Sequence, residues 1–399
     1  MRKAAMAAAF SAAFAAAPCL CSCGGDDGLG RAVQTGAVDE DDDAGDAAAG
    51  DAYMYRLPVV FHVFYTDPAD STQNIPAGRL STILARVNEI YRGGVYGESE
   101  NANLIFTMAR YGEDGKELAE PGIHRIRWDG DYPMDPDEVM TDETGKYKKH
   151  LWDPNEYINV FAYQFAGGAA EGEVLGISHL PYSVKGGQEL EGLETVAYAR
   201  IGKANLTYAH CSSINSSHVY SESSRYGLAD KGAGGYRYRS DDINVTLAHE
   251  LGHYLGLHHI FTERDGLATD SCGDTDHCQD TPSYNRVAYS ATIAGMAGAT
   301  TMDELLVRTD CNGGEFWSAN IMDYSVGLGY KLSADQKRRI RHVLNHSPLI
   351  PGPKVKSSAT RGAETAPEGP VRLPFKTSRH GKTTQCNTQY TMRAAERRR

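Results

Sequence analysis

His249-Glu250-Leu251-Gly252-His253-Tyr254-Leu255-Gly256-Leu257-His258-His259 is the stretch on which the reading of this 399-residue chain turns. On a helix, residues four apart share a face, so His249 and His253 would offer two imidazoles to one ion. Glu250 follows the first of them and would point toward the ion's open side. Gly256 suits the left-handed conformation that ends a helix sharply, and such a turn would bring His259 round as a third nitrogen. Three neutral imidazoles with a fourth position left for water are the donor set of a catalytic zinc site. Zinc acidifies such a water, and Glu250 is placed to take its proton and pass it on. The bland alternative is a helix with surface histidines and no metal. The five fixed positions arise by chance in a chain of this length at odds on the order of 1 in 10,000, which favours the metal.

The flanking sequence supplies a scaffold for that helix. Asp241 and Asp242 place carboxylates at its start, where unpaired N–H groups and the dipole welcome them. The helix itself is predicted from about Asp242 to Tyr254. Upstream, residues 57–65 (LPVVFHVFY) read as a buried strand. Leu80, Ile83, Leu84, Val87 and Ile90 recur at helical spacing and predict an amphipathic helix over 76–92. Residues 103–110, 157–164, 174–180 and 195–201 read as further strands, whereas 111–155 and 202–240 read as loop. Downstream, 257–299 has no clear period. Ser333 and Gln336 stand at capping-box spacing before a last helix with Ile340, Val343 and Leu344 on its apolar face. The pattern is α+β: a twisted mixed sheet with helices on it, then an irregular lower part.

The ends differ from the middle. Net charge is −12, which argues against nucleic acid as a partner. It is unevenly spread, because the chain beyond 353 is strongly basic. Residues 1–22 have a basic start and a short apolar run, the pattern of an export signal. Leu20-Cys21-Ser22-Cys23 resembles a bacterial lipoprotein signal, with Cys23 as the lipidated residue and Cys21, preceded by the bulkier Leu20, as a weaker candidate; the bland alternative is a plain secretory signal with incidental cysteines. That implies an exported protein tied by a lipid anchor to the outer membrane, at the cell surface. Residues 23–52 are Gly, Ala and acid and read as a flexible tether. Residues 349–399 read as a disordered basic tail. Between 24 and 52 there is no cysteine to block a metal, so no latency segment is evident there. Of the eight cysteines, Cys211, Cys272, Cys278 and Cys311 fall in the folded region and allow two bridges in an exported protein.

The extended motif H-E-x-x-H-x-x-G-x-x-H, together with Asn320-Ile321-Met322-Asp323-Tyr324, resembles the metzincin metallopeptidases. The resemblance makes Met322 the apolar floor beneath the histidines and Tyr324 a catalytic tyrosine near the metal. The strand at 57–65, Tyr157-Ile158-Asn159-Val160, Leu175-Gly176-Ile177-Ser178 and Asp280-Thr281-Pro282 narrow it to the pappalysin family, over roughly 55–347. It implies a metzincin-type catalytic domain over 53–348, with an upper subdomain (53–256) and a lower one (257–348). It implies a disulfide between Cys272 and Cys311. Cys211 and Cys278 could form a second bridge, or Cys278 could replace Cys272. It implies calcium near Asp276 and Asp280, against a bland reading as a solvated acidic loop. The function implied is zinc-dependent endopeptidase, a monomer that takes extended peptides along a sheet edge. The rivals are a non-catalytic surface protein on a dead protease fold and a hydrolase of non-peptide amides.

Overall fold

The run Tyr55–Tyr65 forms strand β1, and its alternation sets the layering. Tyr55, Leu57, Val59, Phe61 and Val63 enter one core, whereas Phe64 enters a second core and Val60 a third, smaller cluster. A strand covered on both faces needs apolar residues at nearly every position, the pattern of parallel sheets. β1 pairs in parallel with β2 (Leu104–Met108), β3 (Ile123–Arg127) and β4 (Ile158–Tyr163). The computed structural model describes residues 52–167, 173–186, 189–223, 235–296, 302–324, 326–355, 364–382 and 390–393. By compactness the chain divides into Met1–Thr35 and Gly36–Arg399, and all of the described residues lie in the latter.

Helix α1 (Ala77–Arg92) buries Leu80, Ile83, Leu84, Val87, Ile90 and Tyr91, the stripe predicted from spacing. Each such side chain contributes about 1.5–3 kcal/mol on full burial. Helix α2 (Ile243–Tyr254) shares that core through Ile243, Leu247, Ala248, Leu251 and Tyr254. The Tyr91 hydroxyl donates to the Ala248 carbonyl at 2.9 Å and ties the two helices together. Asp242 caps α2 by accepting from the Asn244 amide. Asp241 instead pairs with Arg239 and His218.

Two strands complete the path from β4 to the site. β6 (Ser212–Asn215) runs parallel to β4, and β5 (Glu173–His179) runs antiparallel to β6. β6 falls inside the segment read as loop. Its four residues are short and mostly polar, so no alternation marks them. All are buried, and the Ser178 hydroxyl donates to that of Ser212 at 2.8 Å. β3 lies in the other segment read as loop.

The expected disordered tail is corrected in part. Val371 donates from its amide to the Asn205 carbonyl, and Leu373 is buried in the second core. Strand β7 (Thr377–Lys382) then joins the main sheet, whose order is β7-β5-β6-β4-β1-β2, with β3 also on β1. Residues 390–393 pair antiparallel with Gly235–Tyr238. The basic composition misled because ladder bonds use the backbone, and because Val371, Leu373 and Phe375 alternate among the charges.

The lower part is irregular, as expected. It holds the helix Arg286–Gly295, two short hairpins and helix α3 (Ala334–His346), whose Ser333 and Gln336 form the capping box. Cys272 and Cys311 form the disulfide, with Cα atoms 5.4 Å apart. The expectations of a second bridge, and of Cys278 in place of Cys272, fail: Cys211 and Cys278 are free thiols. Cys211 is buried beside Met140, its sulfur 3.9 Å from the thioether, so its burial comes from apolar packing.

Candidate metal centre

α2 carries His249 and His253 one turn apart, their ring centroids separated by 4.6 Å. Gly256 follows with φ +89°, and a Cβ there would lie 2.7 Å from Val343, so both the turn and the space demand glycine. The reversed chain brings His259 beneath the helix, its Nε2 3.1 Å from that of His253. The three imidazoles are fully buried, and their ligand nitrogens lie within 4.8 Å of one another.

Each ring is oriented through its other nitrogen. Nδ1 of His249 donates to the Ile321 carbonyl at 2.6 Å, and Nδ1 of His253 donates to the Leu257 carbonyl at 2.8 Å. Nδ1 of His259 donates to the Glu263 carboxylate at 2.5 Å. These bonds fix the tautomers and leave three Nε2 lone pairs facing one point, the arrangement expected around zinc. Two nitrogens on one tetrahedral zinc stand about 3.3 Å apart, close to the His253–His259 spacing. Nε2 of His249 is buried with no hydrogen-bond partner, an acceptor that a cation would satisfy. Burial, and then the neighbouring imidazoles, hold His249 and His253 neutral well below the usual histidine range. The residues therefore fit zinc. Glu263 was not singled out from sequence.

Glu250 leans against β5. The Ser178 hydroxyl donates to its Oε2 at 2.7 Å, and the His380 amide donates to its Oε1 at 3.1 Å. A Cβ on Gly176 would sit 2.5 Å from Glu250 Cγ, so glycine there makes room for the carboxylate. Burial pushes this carboxyl well above its usual range, opposed by the two hydrogen bonds. Neither Ser178 nor His380 was identified from sequence as part of the site.

The turn at 320–324 packs against α2 and the histidine rings. Met322 is fully buried, and its sulfur would lie 2.6 Å from a Cβ on Gly252, in the last turn of α2. The Asn320 and Gln336 side chains bond to each other at both ends, at 2.8 and 3.0 Å, and hold this turn to α3. Asp323 accepts from the hydroxyls of Tyr284 and Ser318. The ring of Tyr324 is 4.6 Å from that of His259 and 5.7 Å from that of His249. Its hydroxyl is buried without a hydrogen-bond partner.

The remaining candidates lie apart from this cluster. Asp276 accepts from the Thr281 hydroxyl and the Cys278 amide, and burial pushes its carboxyl up to about 7. Asp280 accepts from the Ser333 hydroxyl and the Asp335 amide at the start of α3. These oxygens are engaged in holding the fold. Among the described residues the three histidines are the one convergent group of three or more His, Cys, Asp or Glu side chains, and Asp276 and Asp280 belong to no such group. Cys23 lies outside the described residues.

Residues 231–345 match the Peptidase_M43 family, described as pregnancy-associated plasma protein-A. Among solved structures the chain is similar to mature mirolysin of Tannerella forsythia in complex with a cleaved peptide. The identity is 21%, over 72% of this chain and 90% of that one, with a TM-score of 0.46. It is also similar to a promirolysin mutant of the same organism, at 18% identity over 75% of this chain and 84% of that one, again with a TM-score of 0.46. No curated protein matches. The matched span carries α2, the three histidines, Met322 and Tyr324, so the match to the Peptidase_M43 family falls on the residues that build this centre.

Proposed function

We propose that residues 53–348 form a zinc-dependent endopeptidase domain that hydrolyses peptide bonds with Glu250 as general base. The observation that carries this reading is the convergence of three oriented Nε2 atoms beside a buried carboxylate. Held by His249, His253 and His259, zinc supplies Lewis acidity toward a water and a substrate carbonyl. The chain's own groups do the rest. Glu250 takes a proton from the attacking water and returns it to the leaving amine. A carboxyl raised by burial holds that proton more readily than an exposed one. Ser178 fixes Oε2 and so limits the carboxylate to one orientation. The Tyr324 hydroxyl, unpartnered and beside two of the ligand rings, is free to donate to the oxyanion that develops on the carbonyl.

The test is hydrolysis of a quenched peptide library by the zinc-loaded protein, before and after limited proteolysis. Glu250→Ala should lower kcat/KM by about 10²–10⁴-fold with zinc content unchanged. Equal turnover by wild type and variant in both states would defeat the assignment.

A further inference from the structure

We propose that the C-terminal strand Thr377–Lys382 is an intramolecular blocking segment, with His380 plugging the open side of the metal centre. The inference rests on the peptidase reading above and adds a latency device at the end of the chain where none was expected. β7 lies antiparallel along β5, pairing Thr377 with His179 through to Lys382 with Glu173. β5 carries Gly176 and Ser178, the two residues that receive Glu250. Without β7, β5 would be a sheet edge alongside the catalytic carboxylate, open to an extended peptide. The tail takes that place.

The fit at the centre is specific. The ladder shifts between His380 and Gly381. There the His380 amide turns to Glu250 Oε1 at 3.1 Å, so a tail N–H holds the oxygen that Ser178 leaves open. The His380 ring is buried, 4.4 Å from His249 and 5.2 Å from Tyr324 between centroids. Its Nδ1 is buried and has no hydrogen-bond partner, like Nε2 of His249 and the Tyr324 hydroxyl beside it. An imidazole thus packs against both a metal ligand and the tyrosine, on the side from which a substrate carbonyl would have to enter. It also forms one wall of the recess lined by Tyr238, Val245, Asn320 and Gly329.

The approach to the cleft is anchored. The Asn205 side chain donates to the carbonyls of Pro367 and Gly369 at 2.7 and 2.9 Å. Phe375 packs on Tyr208, 4.4 Å between centroids, and the Leu180 amide donates to the Lys376 carbonyl. Arg379 reaches Asp137 at 2.7 Å. Between these anchors Arg372 and Lys376 are exposed and lie outside any strand. Hydrolysis of the peptide bond after either residue, by a protease that cuts after basic residues, would remove the covalent tether before β7 and leave it held only by non-covalent contacts: the ladder, Arg379 on Asp137, the His380 amide on Glu250 and the pairing of residues 390–393 with Gly235–Tyr238. A strand that loses its tether loses an effective concentration in the millimolar range.

The experiment takes the full-length, zinc-loaded chain before and after limited trypsin treatment, with cuts located by mass spectrometry and released peptide removed by gel filtration. Two quantities are read: binding of a peptide hydroxamate by calorimetry, and kcat/KM on a quenched peptide. Cleavage at Arg372 or Lys376 should raise both by about 10²-fold or more. His380→Ala in the uncut chain should raise hydroxamate affinity in the same direction, and this answers the question even if trimming unfolds the protein. An uncut chain that binds hydroxamate and cuts peptide as well as the trimmed one, with His380→Ala no tighter, overturns the blocking role and leaves the peptidase reading standing. Failure of every form to cut any peptide, despite bound zinc, removes the peptidase reading and the blocking role with it.

Discussion

At the scale of single residues, the site depends on contacts that leave no room for a methyl group. Gly176 and Gly252 face Glu250 and Met322, where an added Cβ would lie 2.5 and 2.6 Å from the nearest side-chain atom. Gly176→Ala would drive a Cβ into the Glu250 stem and turn the carboxylate away from Ser178. Misplacing a catalytic group by about 1 Å costs on the order of 10²-fold in rate. Gly176→Ala should therefore lose about that much kcat/KM while binding zinc with unchanged stoichiometry, measured by metal analysis beside turnover. Retained turnover would mean that Glu250 acts from another position. The three histidines, Glu250 and Gly256 were picked out by spacing along one helix and its exit, Met322 and Tyr324 by the resemblance of their turn, and the structure brings all seven into one region. Ser178 and Glu263 were not singled out, since their roles depend on strand pairing and on the fold of the loop after the motif.

At the scale of elements, β5 is held at both ends of its contact with α2. His218 bridges Glu173, at the start of β5, and Asp241, just before α2, at 2.8 and 3.1 Å. Burial opposes a charge on this imidazole, yet the hydrogen bonds to Asp241 and Glu173 raise it to about 9. A group raised in the folded state stabilises fully below its unfolded value near 6.5, and the gain is lost as pH climbs through about 9. Each tenfold gain in proton affinity is worth about 1.4 kcal/mol, so His218→Gln should cost up to about 3 kcal/mol near pH 6 and little near pH 10. Denaturant midpoints at the two pH values check this, and an equal loss at both would contradict the charged bridge. Helices were easier to read than strands. The stripe of α1 and the capping box of α3 are local patterns, whereas β6 is four mostly polar residues made central by their neighbours.

At the scale of the whole molecule, the region beyond 348 changes the picture most. Read from charge alone it has no part in the fold, but its backbone completes the sheet and its His380 lies beside His249. Composition reports which side chains favour water, while an edge strand is stabilised through main-chain bonds and needs only a few apolar anchors such as Leu373 and Phe375. The lower part illustrates the same limit in another way. One cysteine pair was expected correctly from the resemblance, whereas Cys211 and Cys278 are close-packed thiols that a count of four cannot distinguish from a bridge. All of the chemistry presumes one ion among three rings. The most direct measurement is an anomalous-difference map at the zinc edge from crystals of the full chain. A single peak about 2.0–2.1 Å from the Nε2 atoms of His249, His253 and His259 is the predicted result. A zinc-replete crystal with no peak among those rings would contradict it.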